Sequence, residues 1–159
     1  MRTIVVGFDG SEGAEHALAR ALELAKALSG RVVVVSVAGL PLGGAPLWDP
    51  VGPGALAVPS AGVRVADQPD SDDLVRRLLD EARERVSAAG LEADYEARRG
   101  DPGDAIVAVA DERGADLIVV GTREPGFLER LLAGSVSDDL ARRAHCDVLI
   151  VHPPRARRG

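Results

Sequence analysis

Short β-branched runs alternate along this chain with stretches of three- and four-residue apolar spacing, and that alternation decides what it can fold into. Thr3-Ile4-Val5-Val6-Gly7-Phe8 and Val32-Val33-Val34-Val35-Ser36-Val37 are too short and too β-branched for helices. They have the pattern of strands buried on both faces. Between them, Ala14, Ala17, Leu18, Ala21, Leu22, Ala25 and Leu28 form a helical stripe. Ser11 is placed to cap that helix, and Gly30 to take the left-handed conformation just past it.

The alternation resumes further along. Val75, Leu78, Leu79, Ala82 and Val86 predict a helix from Ser71 to Ala89, closed by Gly90. Its outer face carries charges of both signs at helical spacing, which is a solvated face rather than a binding patch. Glu92 to Arg98 predicts a third strand, polar enough for a sheet edge. Asp101-Pro102-Gly103-Asp104 starts a helix that continues through Ala105, Ile106, Val109 and Ala110 and stops at Gly114. Asp116 to Gly121 and Asp147 to Val151 predict the last two strands, with a helix from Ser135 to Ala144 between them. Strands alternating with helices predict a doubly wound α/β sandwich around a parallel sheet of five strands. Ligands bind such a sheet beyond the carboxyl ends of its strands, where the strand order reverses.

A length of 159 residues fits one domain, taken as residues 1–153 with a basic tail at 154–159. Residues 38–69 break the pattern with six prolines and several glycines, and predict a long loop. Trp48 in that loop reads as a ring over a local apolar patch, or as a contact over a ligand. The net charge of −6 is a poor match to a phosphodiester backbone, so nucleic acid is not an expected partner. No run approaches the roughly 18 apolar residues of a membrane span, and the apolar stretch after Arg2 is too short for a signal peptide. Cys146 has no second cysteine to pair with, which fits a reducing cytoplasm.

Two strand ends carry candidate chemistry. The first is Gly7-Phe8-Asp9-Gly10-Ser11, where an acid on the rim either accepts hydrogen bonds from a ribose or amide or caps the following helix. The second runs from Gly121 to Ser137. Gly134-Ser135 opens a helix whose free N–H groups, with two hydroxyls, form either a phosphate seat or an ordinary capped turn. Other constellations fail. His16, His145 and His152 lack metal-ligand spacing, there is no Gly-x-Ser-x-Gly elbow, and Lys26 lies inside the first helix rather than in a phosphate loop. Cys146 reads as a small core residue rather than a nucleophile. No side chain stands out as a general base, so the chain is read as a binding module and not an enzyme.

These pieces together resemble the universal stress protein family over nearly the whole chain. Ile4-Val5-Val6-Gly7-Phe8-Asp9-Gly10-Ser11, Ala115-Asp116-Leu117-Ile118-Val119-Val120-Gly121, Leu131-Leu132-Ala133-Gly134-Ser135-Val136-Ser137 and Cys146-Asp147-Val148-Leu149-Ile150-Val151 are similar to that family's opening, fourth strand, glycine loop and closing strand. The resemblance implies an adenine nucleotide alpha hydrolase-like fold with strand order 3-2-1-4-5, and both candidate strand ends on one pocket. It implies dimerisation through Val148 to Val151. Some members bind ATP through a motif spaced Gly-two-Gly-nine-Gly-Ser/Thr. On that pattern Gly7, Asp9, Val37 and Val120 would line the base and ribose. Gly121, Gly134, Ser135, Val136 and Ser137 would meet the ribose and phosphates of ATP, with or without Mg.

One position departs from the motif. Glu124 stands where its middle glycine would be, and Pro125 has no N–H to offer. A carboxylate about 4 Å from a phosphate charge costs about 1 kcal/mol in water and ~4 kcal/mol at an effective dielectric of 20. Glu124-Pro125-Gly126-Phe127 spells a type II turn instead. Arg123, Arg130 or a bound metal would have to offset the acid. The competing reading is a dimeric interaction protein of the same fold that takes no nucleotide.

Overall fold

The computed structural model describes residues 2–38, 71–121 and 136–154. They form β1 (Thr3–Gly7), α1 (Glu12–Leu28), β2 (Arg31–Ala38), α2 (Ser71–Ala88), β3 (Ala93–Arg99), α3 (Pro102–Arg113), β4 (Leu117–Gly121), α4 (Val136–Arg143) and β5 (Asp147–Val151). The strands pair in parallel in the order β3-β2-β1-β4-β5, so the order reverses between β1 and β4, as expected. The expected loop at 38–69, with Trp48, and the turn at Glu124-Pro125-Gly126-Phe127 lie outside the described residues, apart from Ala38, which ends β2.

Side-chain alternation along the strands divides the core into two layers. Ile4, Val6, Phe8, Val32, Val34 and Val119 face α1 and α2. Val5, Val33, Val35 and Ile118 face α3 and α4, against Ile106, Val107, Val109, Ala110 and Leu140. The central strands are covered on both faces, which is why β1 and β2 read as continuous apolar runs rather than alternating ones. β3 lies at one edge and carries the polar sequence expected there.

The caps follow the local chemistry. Ser11 is extended, and its Oγ accepts a hydrogen bond from Ala14 N at the head of α1. Asp101 does the same for Asp104 N in front of Pro102, and Gly114 takes the left-handed conformation after α3. Gly30 corrects the sequence reading. Ser29, not Gly30, is the left-handed residue after α1, at φ 50°. The glycine is needed for a different reason, since a Cβ on Gly30 would lie 2.8 Å from the carbonyl oxygen of Arg2. The strand and helix bounds otherwise shift by one residue, with β2 extended to Arg31 and Ala38 and β3 displaced to Ala93–Arg99.

Candidate functional site

The carboxyl ends of β2, β1 and β4 lie side by side, and the first candidate group sits on them. Gly7 closes β1 opposite Val35 of β2, and β4 pairs Val119 with Val6, which sets Val120 beside Gly7. The missing side chain of Gly7 is accounted for here. A Cβ would come within 2.9 Å of Ile106 Cδ1 and 3.6 Å of Val120 Cγ1. Val37 and Val120 are half-buried and pack on the same layer as Ile106. Gly7, Val37 and Val120 therefore form an apolar rim on the α3 side of the sheet, with Ile106 beneath it.

Asp9 follows two residues later and is exposed. Its backbone is aimed by β2, because Phe8 N donates to Val35 O at 2.8 Å and Ser36 Oγ donates to Phe8 O at 2.8 Å. Ser36 is the buried polar residue of the described core, and this bond satisfies its hydroxyl. Asp9 Oδ1 accepts from Ser11 N at 3.0 Å and from Ser11 Oγ at 2.5 Å. Ser11 Oγ in turn accepts from Ala14 N at 3.2 Å. Asp9 stands on the rim and does not cap α1 itself, since it holds Ser11, which is the capping residue. Gly10 makes the turn at φ 77°, and a Cβ there would be 2.7 Å from Leu78 Cδ2 of α2.

Gly121 at the end of β4 has its own steric reason. A Cβ would run into the backbone carbonyl of Gly13 and approach Ala14 N at 2.7 Å. The first glycine of the motif lets β4 end against the first turn of α1. Gly134 and Ser135 lie outside the described residues. Val136 and Ser137 are the first two residues of α4. Since β5 runs parallel to β4, the chain must return to the amino edge between them, and α4 is the last part of that return. Its N-terminal end, Val136-Ser137, is therefore the end directed toward the carboxyl rim.

Three contributors escaped the sequence reading. Ser36 was visible as the polar residue in a valine run, but its partner 28 positions earlier was not. Gly13 and Ile106 gave no local signal, because each matters only through a strand end brought beside it by the sheet order. Two of the histidines pair with acids on helices. His145 Nδ1 lies 3.1 Å from Asp111 Oδ1, and His16 Nε2 is 3.7 Å from Glu12 Oε1. No cluster of three or more potential metal ligands occurs among the described residues. No described helix is long and apolar enough to cross a membrane.

Residues 1–152 match the sequence model of the universal stress protein family. The chain belongs to that family. Among curated relatives it is similar to the stress response protein NhaX of Bacillus subtilis, at 31% identity over 93% of this chain and 96% of that one. The universal stress protein Rv1636 of Mycobacterium tuberculosis is 33% identical over 95% of this chain and 96% of its own length. Among solved structures, a universal stress protein in complex with cAMP superposes with a TM-score of 0.69 at 31% identity, covering 96% of this chain and 98% of that one. This universal stress protein shares the five-stranded 3-2-1-4-5 sheet of its family. Chemically, its rim sets an apolar edge of Gly7, Val37 and Val120 near the carboxylate of Asp9.

Proposed function

We propose that this universal stress protein is a cytoplasmic stress-response module that binds an adenine nucleotide, with Gly7, Asp9, Val37 and Val120 lining the base and ribose. The observation that carries the reading is the apolar strip with an adjoining acid at the point where the strand order reverses, which is where such sheets take ligands. A relative 31% identical to this chain has been solved with cAMP, which supports an adenine ring as the occupant. ATP, with or without Mg, is the proposed ligand, its phosphates directed to Gly121, Gly134, Ser135, Val136 and Ser137. We read the protein as a binding module rather than an enzyme, acting as a homodimer through β5.

A second reading keeps the fold and closes the cleft to nucleotide, leaving a dimeric interaction protein. Glu124 at the middle motif position favours it. So does Gly121, whose glycine is required by the approach to Gly13 whether or not a phosphate is bound. Calorimetric titration with Mg-ATP and with AMP separates the two. Saturable binding with a Kd below about 100 µM, which is more than about 5 kcal/mol of binding free energy, is expected on the first reading. Absence of heat with the natural chain, and binding gained in Glu124→Gly, would establish the second.

A further inference from the structure

α4 is the described helix that begins nearest the motif's last glycine pair in the chain, and its last turn is tied to α3. α3 buries Gly103, Ile106, Val107, Val109 and Ala110. In the described part of α4, Leu140 is buried, and Ala141, Arg142 and Arg143 are exposed. The second hold is electrostatic. Arg143 Nη1, in the last turn of α4, donates to Asp104 Oδ1 in the first turn of α3. Asp104 is itself fixed, because its backbone N–H donates to the Asp101 cap at 3.0 Å. Two residues on, Ile106 meets Gly7 at the base end of the rim. A single rigid turn of α3 therefore touches both the floor of the proposed base site and the helix whose N-terminus is directed toward the proposed phosphate site.

We propose that Asp104 and Arg143 are positioning residues for the nucleotide: their ion pair holds α4 against α3 in the arrangement that binds. The proposal rests on the nucleotide reading given above. Neither residue touches the rim group, so they act on affinity through the population of the docked helix. When only a fraction of molecules is competent, the observed Kd rises in inverse proportion to that fraction. Both side chains are about half exposed, so the pair is worth little as a general contributor to stability and is weakened by salt. Its effect is expected on α4 and on ligand affinity rather than on global unfolding.

The test is a charge-swap cycle read by calorimetry with Mg-ATP at low and moderate salt. Asp104→Asn and Arg143→Gln should each raise Kd roughly two- to fivefold at low salt, a range that corresponds to about 0.4–1 kcal/mol. The double variant should lose no more than either single one, and the swap Asp104→Arg with Arg143→Asp should return to within about twofold of the natural chain. Amide hydrogen exchange should quicken across 140–143 in Asp104→Asn while β1 and β2 keep their protection. Natural protein that binds Mg-ATP while every variant binds it equally well would overturn the positioning role and leave the nucleotide reading standing. Natural protein that binds neither Mg-ATP nor AMP would overturn both. The swap guards against a folding artefact, since a variant that merely misfolds is not rescued by exchanging the charges.

Discussion

At Gly7 the strand has room for a hydrogen and little else. Ile106 Cδ1 occupies the space in front of it, and this contact joins β1 to α3 at the rim. Gly7→Ala should cost about 1–3 kcal/mol in urea unfolding, the usual range for forcing a methyl group into a packed layer. The obstruction is the tip of a side chain, so Ile106→Val in the same molecule should recover most of the loss, and a double-mutant cycle would show the coupling. Additive losses would mean that the two residues do not meet. Cys146 offers a pH-dependent readout at the same scale. Partial burial, and after it the carboxylates of Asp111, Asp147 and Asp116, push its thiol above the ordinary value. The fold thus favours the neutral thiol. The stability this contributes is fully present below the unfolded value of about 8.5 and is lost as pH rises through the raised folded value. Relative to Cys146→Ser, the natural chain should lose stability above roughly pH 8.5. Its thiol should also alkylate more slowly folded than in urea, and equal rates in the two states would refute the shift.

At the scale of elements, what could be read from the chain was what is local. The caps of α1 and α3 were readable because Ser11 and Asp101 act on an N–H three residues away. The apolar runs gave β1, β2, β4 and β5 to within a residue or so, because β1, β2 and β4 are buried on both faces and have no polar face to confuse the pattern. Gly30 was assigned the wrong reason, since its neighbour Arg2 is distant in sequence and only the pairing of β1 with β2 brings them together. The rim was half readable. Gly7, Asp9 and Gly121 were found as strand ends and Val37 and Val120 through the family resemblance, whereas Ile106 and Ser36 join them only through tertiary contacts. Asp101→Ala tests the local part. Removing the carboxylate that accepts from Asp104 N should cost about 1 kcal/mol by chemical denaturation, the usual worth of such a cap. A loss within about 0.3 kcal/mol of zero would show that the Pro102 start suffices without it.

At the scale of the whole molecule, the two edges of the sheet are built differently. On β3, Asp94, Glu96 and Arg98 share the face toward α3 and are tied into an alternating chain, from Arg31 through Asp94, Arg113, Glu96 and Arg98 to Glu112. Charges arranged this way discourage another strand from adding to that edge. Among the described residues β5 carries no comparable chain of ion pairs. Four apolar residues, Val148, Leu149, Ile150 and Val151, are half-buried there, whereas β1 buries its three central residues completely. Leu149 and Val151 pack on the α1 side and Val148 on the α3 side, and among the described residues Ile150 joins neither cluster. A second copy pairing along β5 across a two-fold axis would cover Ile150 and satisfy the open ladder at once. The homodimer proposed above therefore predicts a dimer by sedimentation at micromolar concentration. Ile150→Lys should shift it to monomer, because a charge at the centre of the seam would be buried against its own copy. The reverse charge pattern gives the control: Glu96→Ala on the opposite edge should leave the dimer intact. A natural chain that sediments as a clean monomer, or a dimer indifferent to Ile150→Lys, would remove β5 as the interface.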